Sequence, residues 1–394
     1  MRVVLSTISR FHSFDLARQL LRHGALTRIH SGYPWWKLSG EGIPRALVDT
    51  WPWIVVPRMA LARTGILRGI LHAGVDEISQ TRFARHVART LPDCDIFHCL
   101  SRYALEPGRV AQQRGARFIL DVGSSHIATQ HRLLAAEADA LGIAIDLPHP
   151  HAVERELAEY ETADLITVPS EFAINSFVAE GVPRGKLVKV PYGVDLTRFK
   201  PRDTDEDGVF RIVFIGALSL RKGVRYLAQA FHRAAIANSE LVLIGSQTPE
   251  TPKILADLDM TGITMTGHVP QPELAGWLSR ATVLVLPSIE DGYGLVLLQA
   301  MACGCPVIAT TNTGGLDCVE EGRNGFIVPV GDVDAISEKF VWLADHPDEA
   351  RAMRQAAIAQ AAQASNVTRY GDDMMAVYRT LLADGAAAAA GVRP

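Results

Sequence analysis

Short runs of apolar and β-branched residues alternate with longer stretches of helical periodicity along nearly the whole chain. In the first half, residues 2–6, 96–99, 118–122 and 165–168 read as strands separated by helix-like stretches. The second half repeats the alternation at 212–215, 240–244, 263–266, 283–286 and 307–309. Runs that are apolar throughout, rather than at every second position, suit sheets buried on both faces, and strand–helix alternation is the pattern of parallel sheets covered by helices. Between the two sets, residues 200–208, KPRDTDEDG, are charged, proline-bearing and apolar-poor, which marks a linker. The expectation is an α/β protein of two doubly wound domains, 1–199 and 209–365, with a ligand cleft at the carboxyl ends of their strands. A last helix at about 366–384 is expected to pack back on the first domain before an alanine-rich tail frays.

Composition narrows the class. A chain of 394 residues, 48% hydrophobic and 21% charged, is long enough for two sizeable cores. The opening MRVVLSTISRF is too short an apolar run for a secretion signal, and no apolar stretch reaches spanning length. Five cysteines, Cys94, Cys99, Cys303, Cys305 and Cys318, lack zinc-like pairing, so a reducing cytoplasm is the expected setting. Cys303 and Cys305, one residue apart, read as small residues packing a helix end rather than a redox pair. The net charge of −4 is uneven: residues 1–125 hold 17 Lys and Arg against 9 Asp and Glu, a balance of +8. A basic first half suits phosphate groups or an anionic membrane surface, and no nucleic-acid partner is expected.

The densest chemistry lies in residues 287–310, PSIEDGYGLVLLQAMACGCPVIAT. A strand stopped by Pro287 leads into Glu290, Asp291, Gly292, Tyr293 and Gly294, whose glycines let the main chain approach a ligand. The helix formers from Leu295 and Val296 onward follow. The first amides of that helix have no internal partner and suit a phosphate or a ring of sugar hydroxyls, while the preceding carboxylates accept from such hydroxyls. Gln299, on the second turn, reaches a neighbouring part of the same ligand. An ordinary strand–helix loop with capping acids uses the same residue types, so this segment alone leaves both readings open.

Four further stretches shift the balance. Tyr192, Gly193, Val194 and Asp195 precede Phe199; a run from Phe214 through Gly216 ends in Arg221, Lys222 and Gly223; Gly267, His268 and Val269 form a third; Thr313, Gly314 and Gly315 lead on to Gly325 and Phe326. In this order, with the 287–306 segment, they resemble the retaining glycosyltransferases of family 4, which have the GT-B fold of two Rossmann-like domains facing each other across a cleft. The resemblance covers nearly the whole chain and is strongest in the second half. It implies a nucleotide-diphosphate sugar as co-substrate, its diphosphate held by Lys222 and Arg221, with Gly216 in the basic loop and His268 beside the base. Donor sugar and phosphate would meet Glu290, Gly292, Tyr293, Gly294 and the amides of Leu295 and Val296. Asp291 and Gln299 stand where the family has two glutamates, and Ala217 stands where an arginine is frequent. Asp291 keeps the charge on a shorter arm; Gln299 retains hydrogen bonding without the charge-assisted strength.

On the acceptor side, the loop after the first strand carries Arg10 and His12, and His126 maps onto a histidine that family members present to the donor sugar. A capping or packing role is the alternative for His126. The implied catalytic set is Lys222, Arg221, Asp291 and His126, with no metal required because cations and amides neutralise the diphosphate. The implied reaction is hexose transfer to a hydroxyl of a glycan, glycolipid or lipid-linked acceptor, in bacterial surface polysaccharide or glycoconjugate synthesis. A sugar-nucleotide epimerase of the same fold and a non-catalytic sugar-nucleotide-binding protein remain the other readings. Trp35, Trp36, Trp51 and Trp53, four of six tryptophans, sit in a proline-interrupted stretch with Arg58, Arg63 and Arg68, suggesting peripheral contact with an anionic membrane or a packed insertion.

Overall fold

In a computed structural model that describes residues 1–8, 10–53, 56–57, 70–203, 207–364 and 366–389, the apolar runs become two parallel sheets. The first has β1 (Val3–Thr7), β2 (Leu26–Ser31), β3 (Val48–Thr50), β4 (Ile96–Leu100), β5 (Arg117–Asp121), β6 (Leu165–Val168) and β7 (Leu187–Lys189), ordered β3-β2-β1-β4-β5-β6-β7. The second has β8 (Phe210–Ile215), β9 (Ser239–Ile244), β10 (Ile263–Gly267), β11 (Val283–Leu286), β12 (Val307–Thr310) and β13 (Gly325–Val328), ordered β10-β9-β8-β11-β12-β13. Strand pairings within both sheets are parallel. All four residues of β11 are buried, which is why a strand covered on both faces reads as an unbroken apolar run.

In each sheet the chain direction reverses beside the first strand: β1 separates β2 from β4, and β8 separates β9 from β11. Loops leaving the carboxyl ends of the two strands at such a switch diverge to opposite faces and open a crevice between them. The loops after β8 and β11 therefore share one crevice in the second sheet, and these are the loops that carry Arg221–Lys222 and residues 290–294.

The chain crosses between the sheets twice, and the crossings touch. Val194 forms a parallel bridge with Asn366, and a Cβ on Gly193 would lie 2.5 Å from the Asn366 carbonyl carbon. The returning helix Val367–Ala389 packs on Phe11–Arg22 of the first domain. Tyr378 on it is fully buried, its hydroxyl 2.6 Å from Nδ1 of His98 on β4. Residues 204–206 of the linker, Arg58, Arg63 and Arg68, and the end of the alanine-rich tail lie outside the described residues. Among the described residues, no helix is long and apolar enough to cross a membrane.

Cys303 and Cys305 are buried, and burial pushes their thiols up to about 11 and about 12. Both stay protonated at neutral pH, in keeping with packing rather than redox work.

Candidate active site

The basic loop begins where β8 ends. After Gly216, the short turn Leu220–Lys222 closes on Gly223, whose φ of +64° and a would-be Cβ only 2.0 Å from the Pro287 carbonyl oxygen exclude any side chain. That close approach presses the loop after β8 against the loop after β11. Main-chain bonds continue the seam, since Ile289 N donates to the Arg221 carbonyl at 2.9 Å.

The two cations face the two acids. Arg221 Nε donates to Glu290 Oε2 at 2.6 Å and to the Glu290 carbonyl at 3.2 Å, while Lys222 Nζ donates to Asp291 Oδ2. The other oxygen of Asp291 accepts from the amides of Tyr293 (3.3 Å) and Gly294 (3.2 Å), which fixes the turn into the helix Val296–Ala302. Burial works to raise the Asp291 carboxyl, but Lys222 and Arg221 outweigh it and hold the group below its usual range. Asp291 is thus ionised and neutralises Lys222 directly.

Glu290 has a different part. It is fully buried, and beside Arg221 its carboxylate accepts from Ser125 N at 2.9 Å, Ser125 Oγ at 2.8 Å and Gln130 Nε2 at 2.9 Å. Ser125 and Gln130 belong to the first domain, so Glu290 is a latch between domains. The contact continues along the turn. Ser170 Oγ donates to the Gly292 carbonyl, and a Cβ on Gly292 would lie 2.3 Å from Gly123 O. Tyr293 donates its hydroxyl to Tyr192 O at 3.2 Å, with the two rings edge to face at 5.5 Å. Asp317 accepts from Glu171 N and from Lys189 Nζ at 2.8 Å.

Of the remaining second-domain residues, Leu295, Val296 and Gln299 are half-buried at the start of the short helix, and His268 is exposed just past β10. Gly216 lies beside Gly245, whose Cβ would meet Gly216 O at 1.8 Å, so the ends of β8 and β9 form a side-chain-free shelf next to Arg221 and Lys222.

In the first domain, His12 stacks on Tyr192 with ring centroids 3.7 Å apart and pairs through Nε2 with the buried Asp121 at the end of β5. Burial would raise the Asp121 carboxyl, but His12 and His98 overcome it and hold it well below the usual carboxylate range. Arg10 is exposed and pairs with Glu41 at 3.3 Å. His126 caps the helix Ile127–Leu141, Nδ1 accepting from Ala128 N at 3.2 Å, and its ring packs between Tyr160 and Phe177. It is 3% exposed and burial lowers its pKa, so the neutral ring is held by the first domain's core.

Sequence reasoning did not single out Asp121, Ser125 or Gln130. Asp121 carried a signal, being a carboxylate at the end of an otherwise apolar strand; Ser125 and Gln130 carried none, because their partner lies at least 160 residues away.

Comparison with known proteins agrees with this architecture. Residues 209–346 match the family model described as glycosyl transferases group 1. The D-inositol 3-phosphate glycosyltransferase of Pseudarthrobacter chlorophenolicus is 30% identical over 303 residues, spanning 71% of this chain and 69% of that one. The putative colanic acid biosynthesis glycosyltransferase WcaL of Salmonella typhimurium is 25% identical over 257 residues, spanning 59% and 63%. Among solved structures, Anabaena Alr3699/HepE in complex with UDP and glucose superposes with a TM-score of 0.71 at 17% identity, over 96% of this chain and 99% of that one. The relatives' names favour a transferase over the epimerase and non-catalytic readings. With two parallel sheets meeting as in that structure and homology across most of its length, the chain belongs to the group 1 glycosyltransferases, with the GT-B fold, and is a glycosyltransferase.

Proposed function

We propose that the protein transfers a hexose from a nucleotide-diphosphate sugar to a hydroxyl of a glycan, glycolipid or lipid-linked acceptor, with retention at the anomeric carbon. The observation that carries this reading is the pairing of Arg221 and Lys222 with Glu290 and Asp291 in the crevice between β8 and β11. Lys222 is partly exposed and held by one carboxylate, so an incoming diphosphate competes with Asp291 for it. The structure of Anabaena Alr3699/HepE in complex with UDP and glucose supports a donor of this class. The colanic acid relative supports a role in bacterial surface polysaccharide or glycoconjugate synthesis.

In the reaction, the bond from the sugar's C1 to the diphosphate oxygen breaks and a bond from C1 to the acceptor oxygen forms on the same face. The acceptor's proton passes to the departing phosphate oxygen. Lys222, Arg221 and the amides of Leu295 and Val296 offset the growing charge without requiring a metal ion. Gln299 and the shelf at Gly216 border the donor, His268 lies on the base side, and the His12–Asp121 pair lies on the acceptor side.

A thermal-shift screen with UDP-, GDP- and ADP-sugars tests donor binding: one family of ligands should stabilise the protein by about 2.7 kcal/mol at a hundredfold excess over Kd. Proton NMR of the product then reads the anomeric configuration, and an inverted product would overturn retention.

The proposed place of work is the cytoplasmic face of the cell membrane. Trp36 and Trp53 are 70% and 77% exposed in the basic first half, which suits peripheral contact with anionic lipid. Co-sedimentation with anionic vesicles should occur at low salt and fall away as salt rises; no binding at low salt would remove the membrane from the proposal.

A further inference from the structure

A second polar cluster lies at the far edge of the first sheet, away from the donor crevice. His30 on β2 and Asp49 on the edge strand β3 are partners in register, so their side chains share a sheet face. The helix Ile70–Thr90 crosses that face and brings His86 and, one turn later, Thr90 to the same point. One carboxylate oxygen, Asp49 Oδ2, lies 2.8 Å from His30 Nδ1 and 2.9 Å from His86 Nε2, with Thr90 Oγ1 at 3.4 Å. The two imidazole nitrogens and the carboxylate oxygen all fall within 4.8 Å of one another.

We propose that His30 Nδ1, Asp49 Oδ2 and His86 Nε2 form a binding site for a divalent transition-metal ion of the zinc class, completed by water, that clamps this helix to the sheet edge. Two imidazoles and one carboxylate are a donor set that zinc accepts, at bond lengths of about 2.0–2.2 Å. Tetrahedral binding at that length places ligand atoms about 3.3 Å apart, so the two short separations open by a few tenths of an ångström and the separation between the two imidazole nitrogens, within 4.8 Å, adjusts by rotation of the partly exposed His86 ring.

Access and burial suit the role. His30 is sealed inside, whereas the side chains of Asp49 and His86 are 27% and 22% exposed, leaving one side of the cluster to solvent. The surroundings also hold more polar capacity than the protein uses. His30 Nε2 and, two turns earlier on the helix, Ser79 Oγ are buried without a hydrogen-bond partner. Trp51 stacks on His86 at 5.3 Å, so the clamp also seats the segment that leads to the exposed Trp53. Fixing three elements of the first domain makes the ion a structural element, remote from the Lys222 chemistry.

The test uses the full chain without a histidine tag, stripped with a chelator and titrated with Co²⁺ as a spectroscopic probe, then with Zn²⁺ in competition. One equivalent of Co²⁺ should produce visible ligand-field bands that Zn²⁺ abolishes, and Zn²⁺ should raise the melting temperature. His86→Ala and Asp49→Asn should each weaken binding by about a hundredfold or more; circular dichroism checks their fold, and His86→Gln serves if His86→Ala does not fold. Absence of bands in the wild type, or a folded His86 variant that binds as tightly, would overturn the proposal.

Discussion

Lys222→Ala lowers turnover by about a hundredfold or more, the loss typical of removing one pre-placed stabiliser of developing charge. The effect should fall on kcat more than on KM, because the ammonium contributes most when negative charge gathers on the departing diphosphate. The same change has a structural consequence that must be separated from the chemical one. Lys222 is the direct partner of Asp291, a half-buried carboxylate that it and Arg221 keep ionised. Its removal leaves that carboxylate with Arg221 as the remaining nearby cation and lowers stability as well. Lys222→Ala combined with Asp291→Asn, set beside Asp291→Asn alone, resolves the two effects: melting temperature should recover in the double variant while its turnover stays well below that of Asp291→Asn. Single-turnover rates and calorimetry on these variants make the comparison, and an undiminished rate in Lys222→Ala would take Lys222 out of the mechanism.

The sequence showed most of the central strands of both sheets. β8, β9, β11 and β12 are apolar because helices cover both faces, and residues 212–215, 240–244, 283–286 and 307–309 mark them within a residue or two. β2, β3, β7 and β13 escaped. LTRIHS carries Arg28 and His30, while VDT and LVK are too short to show any period; β3 and β7 are edge strands with one side unpaired. At β13, Gly325 and Phe326 read as the end of a glycine motif, which hides the strand.

The residues that the structure gathers in the crevice stood in the sequence only as separate local motifs. That Arg221 and Lys222 would meet the acids at 290 and 291 follows from two loops sharing one topological switch. That Glu290 would latch onto Ser125 and Gln130 does not, because the pairing depends on how two domains dock. His126 shows the same limit. Its ring is placed by Tyr160 and Phe177, residues from separate helices, and a motif position cannot report what tertiary neighbours do with it.

Gly292→Ala is expected to be nearly as damaging as loss of Lys222, through geometry rather than charge. The Gly292 backbone is not in the left-handed region, so alanine is compatible with the turn itself. The obstacle is the other domain: the new methyl would sit 2.3 Å from Gly123 O and 2.5 Å from Ser124 Cα. Neither is a flexible side-chain end, so the domains must separate by about 1 Å at this point, and a misplacement of that size costs about a hundredfold in rate. Separation also strains the bonds from Ser125 and Gln130 to Glu290 and from Ser170 to the Gly292 carbonyl, which hold the two faces in register. Donor binding by the second domain should survive, since Lys222, Asp291 and the glycine shelf lie on one side of the seam. Small-angle scattering should show a larger radius of gyration, the nucleotide thermal shift should persist, and transfer should fall. Wild-type transfer at an unchanged radius would show that the Gly123–Gly292 contact is dispensable for the reaction.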